Sequence, residues 1–277
     1  MFERVFLASV VAVGFVGAAN AADVPVVAPA DWTGFYVGAG GGLNSVSADE
    51  QGYGSTRIQE YDPEDFSSSS NDRWQNDVEE WGGLATVEAG FDYQVDQFVI
   101  GVAGSYDFVG ISAETDSQGE CTNRLEENPP VQIPCTTFSQ GSFEFGDAWY
   151  LGARVGYLAT ASTLLFLSGG YTQAEVAHGG YHEYRESAKN YIWVSAGNEE
   201  WKQGYYLGAG IEQMLTEAIS MKIEYRFADY GSVNESYSGT GLNDFDGPGY
   251  AIDEFEVNHK VEDILSQTIR ATVNLRF

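Results

Sequence analysis

Nine charged residues fall on the polar side of segments in which apolar and polar residues alternate: Glu88, Asp107, Arg154, Glu212, Lys222, Glu224, Arg226, Arg270 and Arg276. Four carboxylates confined with five cations can do one of two things. They can neutralise one another as a buried polar plug, because charges out of water must be paired. Or they can line a narrow ion path whose salt bridges open and close. The plug is the favoured expectation, and the path its alternative.

Other reactive residues are sparse. Nucleophilic catalysis needs a hydroxyl or thiol, a base and an orienting group within hydrogen-bond reach. The three histidines give no such arrangement: His178 precedes Gly-Gly, His182 precedes Glu-Tyr and His259 precedes Lys-Val. The expectation is therefore that the protein is not an enzyme. His178 and His182 would share a helix face, but Gly179 and Gly180 between them argue against a helix. On a strand four residues span about 13 Å, too far for one metal. Both are read as exposed loop histidines. The acidic stretch "NDFDGPGYAIDEFE" departs from a calcium loop, since Pro248 falls where a ligand is needed if Asp244 opens it. No cofactor and no defined metal site are expected, and divalent cations are expected only diffusely on acidic loops. Cys121 and Cys135, in the polar stretch "GECTNRLEENPPVQIPCTT", read as a disulfide in an oxidising compartment.

The segments that carry the nine charges alternate with period two, the signature of strands with one oily and one wet face. In "TGFYVGAGGGLN" Phe35, Val37, Ala39, Gly41 and Leu43 share the oily face. "LATVEAGFDY" sets Ala85, Val87, Ala89, Phe91 and Tyr93 against Thr86, Glu88, Gly90 and Asp92. "QFVIGVAGSYDF", "AWYLGARVGY", "GYYLGAGIEQ", "ISMKIEYRFAD" and "TIRATVNLRF" repeat the pattern. "STLLFLSGGYTQ" is a further strand whose facing the pattern leaves open, which makes eight strands in all. Short connectors lie near 94–97, 158–163 and 215–218. Long ones run over 47–80, 110–142, 174–200 and 229–263. Short turns at one end and long loops at the other are the rhythm of an up-and-down transmembrane barrel. In the third long connector, "NYIWVS" and "EEWKQGYY" offer a way to lengthen strands beyond the membrane.

The chain carries 13 Lys and Arg against 41 Asp and Glu, a net charge of −28. Nucleic acid is excluded as a partner, because binding it relies on cations that neutralise phosphates. The four long connectors hold 23 of the 28 excess negative charges. Residues 1–21, "MFERVFLASVVAVGFVGAANA", read as a signal peptide: a charged start, an apolar stretch and small residues in A-x-A register before cleavage after Ala21. Residues 22–277 then form the barrel, in the cell outer membrane.

The stretches "ADVPVVAPADWTGFYVGAGGG", "ARVGY", "GAGIEQ", "KIEYRFADYGS" and "TIRATVNLRF" together resemble the small outer-membrane β-barrels of Gram-negative surface antigens, the porin-like opacity type. These are related in architecture to the transmembrane domain of OmpA. The resemblance covers residues 22–277 and implies an all-β, eight-stranded antiparallel up-and-down transmembrane barrel. It implies that Phe277, the terminal aromatic, is a signal to the barrel assembly machinery. It also implies a setting in outer-membrane lipid and lipopolysaccharide. The function expected is structural: envelope integrity and surface interaction through the loops. The alternatives are a narrow cation-preferring channel and a loop-borne binder of haem or a host factor.

Overall fold

A computed structural model describes the backbone of residues 31–61, 66–125, 131–186, 190–244 and 250–277. It describes their side chains except at 52–74, 76, 115–141, 179–197 and 235–259. The segment read as a signal peptide lies outside the described residues. Among the described residues ten strands follow one another: β1 (Gly34–Tyr61), β2 (Phe66–Val95), β3 (Phe98–Val109), β4 (Ile111–Leu125), β5 (Val131–Thr160), β6 (Thr163–Glu186), β7 (Asn190–Met214), β8 (Ile219–Asp229), β9 (Val233–Asp244) and β10 (Tyr250–Arg276). They make eight staves, because β4 continues β3 along β5 and β9 continues β8 along β10. All pairings are antiparallel. β10 returns to β1 in register from Tyr36 opposite Arg276 to Tyr61 opposite Tyr250, which closes the wall. Closure leaves no unpaired backbone in lipid.

The short connectors are the turns expected at 94–97, 158–163 and 215–218, with Asp96 at a φ of 54° in the first. The long connectors differ from expectation. The stretches 47–80, 110–142, 174–200 and 229–263 are mostly strand, not loop, so every one of the four is an extended hairpin. Beyond Ser45, β1 runs 16 more residues to Tyr61. That is about 50 Å along the strand, or about 40 Å of height at a common barrel tilt.

The reason lies in which face is oily. Through the lower half, Phe35, Val37, Val87, Ile100, Leu151, Leu167, Leu207, Ile223 and Val273 point out and are exposed. Phe98 and Phe108 bound this band on β3, ten residues or about 25 Å apart when tilted, the height of a hydrocarbon core. Aromatics mark both rims. Phe35, Tyr93, Phe98, Tyr157 and Phe277 stand at the turn end, while Trp81, Phe108, Tyr171, Trp201 and Tyr205 stand at the other. Above that second rim the pattern inverts. Val46, Val78, Ile111, Phe143, Phe145, Val176, Val261 and Ile264 are buried inside the wall. An outward oily face suits lipid; an inward one suits water.

Candidate functional site

The lumen is built in storeys. At the turn end Trp32, Val99, Leu164, Phe166 and Met214 form an apolar floor. Trp32 is anchored there: its backbone N–H donates to Gln94 Oε1 at 3.0 Å, its indole to the Ala161 carbonyl at 3.4 Å. Arg276 lies over its ring at 4.8 Å. This is why the facing of β6 was not legible in sequence. Leu164 and Phe166 join the floor while Leu165 and Leu167 face lipid, so both sides of the strand are apolar there.

Above the floor sits a first ionic cluster. Asp92 accepts hydrogen bonds from both Arg154 and Arg276. Arg154 also donates to Glu212 at 2.8 Å, and Glu212 accepts from Ser220 at 2.5 Å. Tyr36 is stacked against Arg154 at 4.8 Å and Arg276 at 5.2 Å. The second cluster lies higher. Lys222 donates to Glu88 at 2.5 Å; Arg270 donates to Glu224 at 2.7 Å, Glu88 at 3.2 Å and Asp107 at 3.2 Å. Arg226 pairs with Glu224 at 3.2 Å, donates to Ser105 at 2.9 Å, and stacks on Tyr150 and Tyr206. Ser168 donates to Glu224 and Thr272 to Glu88, while Thr86 donates to the same Asp107 oxygen that Arg270 reaches.

All nine residues read from sequence as inward are buried in this lumen. The missed member is Asp92, fully buried, which already stood on the wet side of "LATVEAGFDY". With it the acids are Glu88, Asp92, Asp107, Glu212 and Glu224, against Arg154, Lys222, Arg226, Arg270 and Arg276. The expected imbalance of four to five is corrected to five and five. Each cluster is neutral by itself, two against two below and three against three above. Burial of charge is tolerable only on such terms.

A third storey closes the upper side. Phe145, Tyr150, Tyr206, Tyr230 and Ile264 belong to one apolar cluster. Within it Tyr230 hydrogen-bonds Tyr150 at 3.4 Å and Thr172 at 3.1 Å, and Tyr150 meets Tyr206 edge-on at 5.3 Å. Interior glycines make room for the large side chains. A Cβ on Gly90 would stand 2.5 Å from the Tyr36 hydroxyl end, one on Gly210 2.5 Å from Phe166, and one on Gly156 2.6 Å from Leu164. Eight staves leave a lumen only as wide as its side chains, and here those side chains fill it.

Elsewhere the predicted residues are scattered. The backbone sets Cys121 opposite Cys135 in the β4–β5 hairpin, but their side chains lie outside those described. His178 is buried on β6 inside the extension, a correction to its reading as an exposed loop residue, because β6 continues there with that position facing inward. The side chains of His182 and His259 lie outside those described. Phe277 is 75% exposed at the lower rim, its N–H donating to the Phe35 carbonyl.

An apolar band with aromatic rims, a closed wall and a neutral polar lumen define a transmembrane β-barrel of the outer-membrane type. The chain belongs to the outer membrane protein beta-barrel domain family, whose model matches residues 8–277. It is 28% identical over 244 residues to the 31 kDa outer-membrane immunogenic proteins of Brucella melitensis biotype 1 and Brucella suis biovar 1, covering 84% of this chain and 89% of theirs. Among solved structures it is similar to the outer membrane protein OprG from Pseudomonas aeruginosa, with 11% identity, a TM-score of 0.38, and coverage of 91% of this chain and 100% of that one. The protein is an outer-membrane surface barrel.

Proposed function

We propose that the barrel is closed to ions and acts as a rigid, non-catalytic stalk that presents an acidic β extension at the cell surface. The observation that supports this is the filled lumen: two neutral ionic clusters between an apolar floor and a tyrosine-rich roof. An ion would have to break several charge-assisted hydrogen bonds and displace aromatic side chains at both ends. The ten lumen charges cancel, so the net −28 is carried by the rest of the chain, where it can repel anions and attract cationic partners. Envelope integrity and surface contact follow from such a body, and transport does not.

Single-channel recording of the refolded protein in a planar bilayer tests the reading, with folding checked first by faster migration on an unboiled gel. Silence, or rare brief openings, is the expected result. A steady cation-selective current abolished by Arg154→Ala or Arg226→Ala would place a path inside the barrel and overturn it.

A further inference from the structure

Above the upper aromatic rim the wall comes apart along two lines. β2 pairs with β3 only as far as Leu84 opposite Val109, and β7 pairs with β8 only as far as Tyr205 opposite Asp229. Beyond these points the extension is two four-stranded sheets, β9-β10-β1-β2 and β4-β5-β6-β7. One line is covered. β4 lies alongside β2, and Ile111 packs so close to Gly82 that a Cβ there would stand 2.6 Å from it. Along the other, among the described residues, β9 has strand pairing only to β10, and residues 190–204 of β7 only to β6.

The second parting is built into the chain. Asp229 ends β8 by accepting from the Gly231 N–H at 2.8 Å and from the Tyr205 hydroxyl at 2.9 Å. Gly231 takes a φ of 70°, which a side chain rarely adopts. Tyr230 turns into the roof, and Tyr230 N–H and Gly231 C=O keep the chain bonded to Ile264 of β10. So β9 rises on β10 while β7 rises on β6, each with one edge of backbone donors and acceptors unpaired by any described strand. Such an edge is a template for another strand.

Charge selects what can come. Along these edges stand Glu199, Glu200, Glu235 and Asp244, against one cation, Lys202, already 2.8 Å from Glu200. A second copy of this chain, at −28, is repelled. We infer that the open edges of β7 and β9 receive an extended, lysine- or arginine-bearing polypeptide by strand addition. Backbone pairing supplies the affinity, and the carboxylates select the sign. This rests on the reading that function lies on the extension.

The test uses the full chain in lipid nanodiscs and a peptide of alternating valine and lysine, 12 residues long to match β9. Two controls replace its lysines by glutamate or methylate alternate backbone nitrogens. The valine–lysine peptide is expected to bind saturably and to slow amide hydrogen exchange within 190–204 and 233–244. The methylated peptide should bind about tenfold more weakly or worse, since it loses several backbone bonds. The glutamate peptide should not bind. No binding, binding indifferent to methylation, or protection confined to other strands would each overturn the inference. Conductance of the same preparation is read separately. A conducting protein that binds the peptide sinks the closed stalk alone; a silent one that does not bind sinks the strand addition alone.

Discussion

Arg276, the last residue of the closing strand, holds Asp92 of β2 across the intervening β1. The pair ties last stave to second beneath the first, with Arg154 gripping the same carboxylate. Asp92→Asn leaves two guanidinium groups facing Glu212 alone in a buried site. Removing one partner of a buried charge set costs about 3–5 kcal/mol. Urea unfolding in lipid vesicles should show a loss of that order. Adding Arg276→Gln to Asp92→Asn should recover part of it, because the stranded cation is then gone. A loss below about 0.5 kcal/mol, typical of an indifferent surface change, would mean the cluster is hydrated.

Tyr36 packs its phenol end against Gly90, with the guanidinium groups of Arg154 and Arg276 over its ring. Gly90→Ala puts a methyl where the phenol end sits, and overpacking of this kind costs about 1–3 kcal/mol. The double variant with Tyr36→Ala should cost less than the sum of the single ones, as expected of residues in contact. Unfolding midpoints for the four proteins check it. Strict additivity would show that the ring does not occupy that space.

How much of this was legible in sequence depends on which side of the wall carries the oil. Below the upper rim, Phe35, Val37 and Ala39 face lipid while Tyr36 and Gly38 face in, and the period alone gives fold, facing and most of the lumen charges. Above it the sign reverses, with Val46 and Ala48 buried and the polar Ser47 and Asp49 between and beyond them partly exposed. A reading tuned to outward oil therefore stops the strands at the rim and takes hairpins for loops. A bulge between Phe145 and Ala148 also shifts the phase within β5. Asp92 was visible but uncounted. The pairing of Arg276 with Asp92, and the edges of β7 and β9 that no described strand pairs, depend on three-dimensional register, which no single segment encodes.

Outside the rim, the Glu175 carboxyl is held above its ordinary range. A hydrogen bond to Glu199 comes first among the causes, then slight burial and the nearby charges of Glu199 and Asp147. The folded state thus binds that proton more tightly than the unfolded one. Its contribution is fully present below the unfolded value of 4.5 and is lost as pH rises through the raised folded value. At neutral pH only carboxylate repulsion remains. Glu175→Gln should therefore raise the melting temperature modestly at neutral pH, with the gain shrinking to nothing as the pH falls toward 4. A gain of equal size at both pH values would assign the effect to something other than the shared proton.

The β4–β5 register sets Cys121 directly opposite Cys135. Directly opposed residues on antiparallel strands have Cα atoms about 4.5–5.5 Å apart, inside the range a disulfide spans. Protein exported to an oxidising compartment should resist alkylation until reduced, then gain two alkyl groups by mass. Closing a loop of about 15 residues is worth about 3 kcal/mol in the chain-entropy model. That contribution belongs to the hairpin tip, far from the lipid-embedded wall. Replacing both cysteines by serine should thus speed proteolysis between β4 and β5 while leaving the unfolding midpoint of the barrel unchanged. Alkylation of the unreduced protein at both positions would show the pair open and remove the disulfide from the account of the extension.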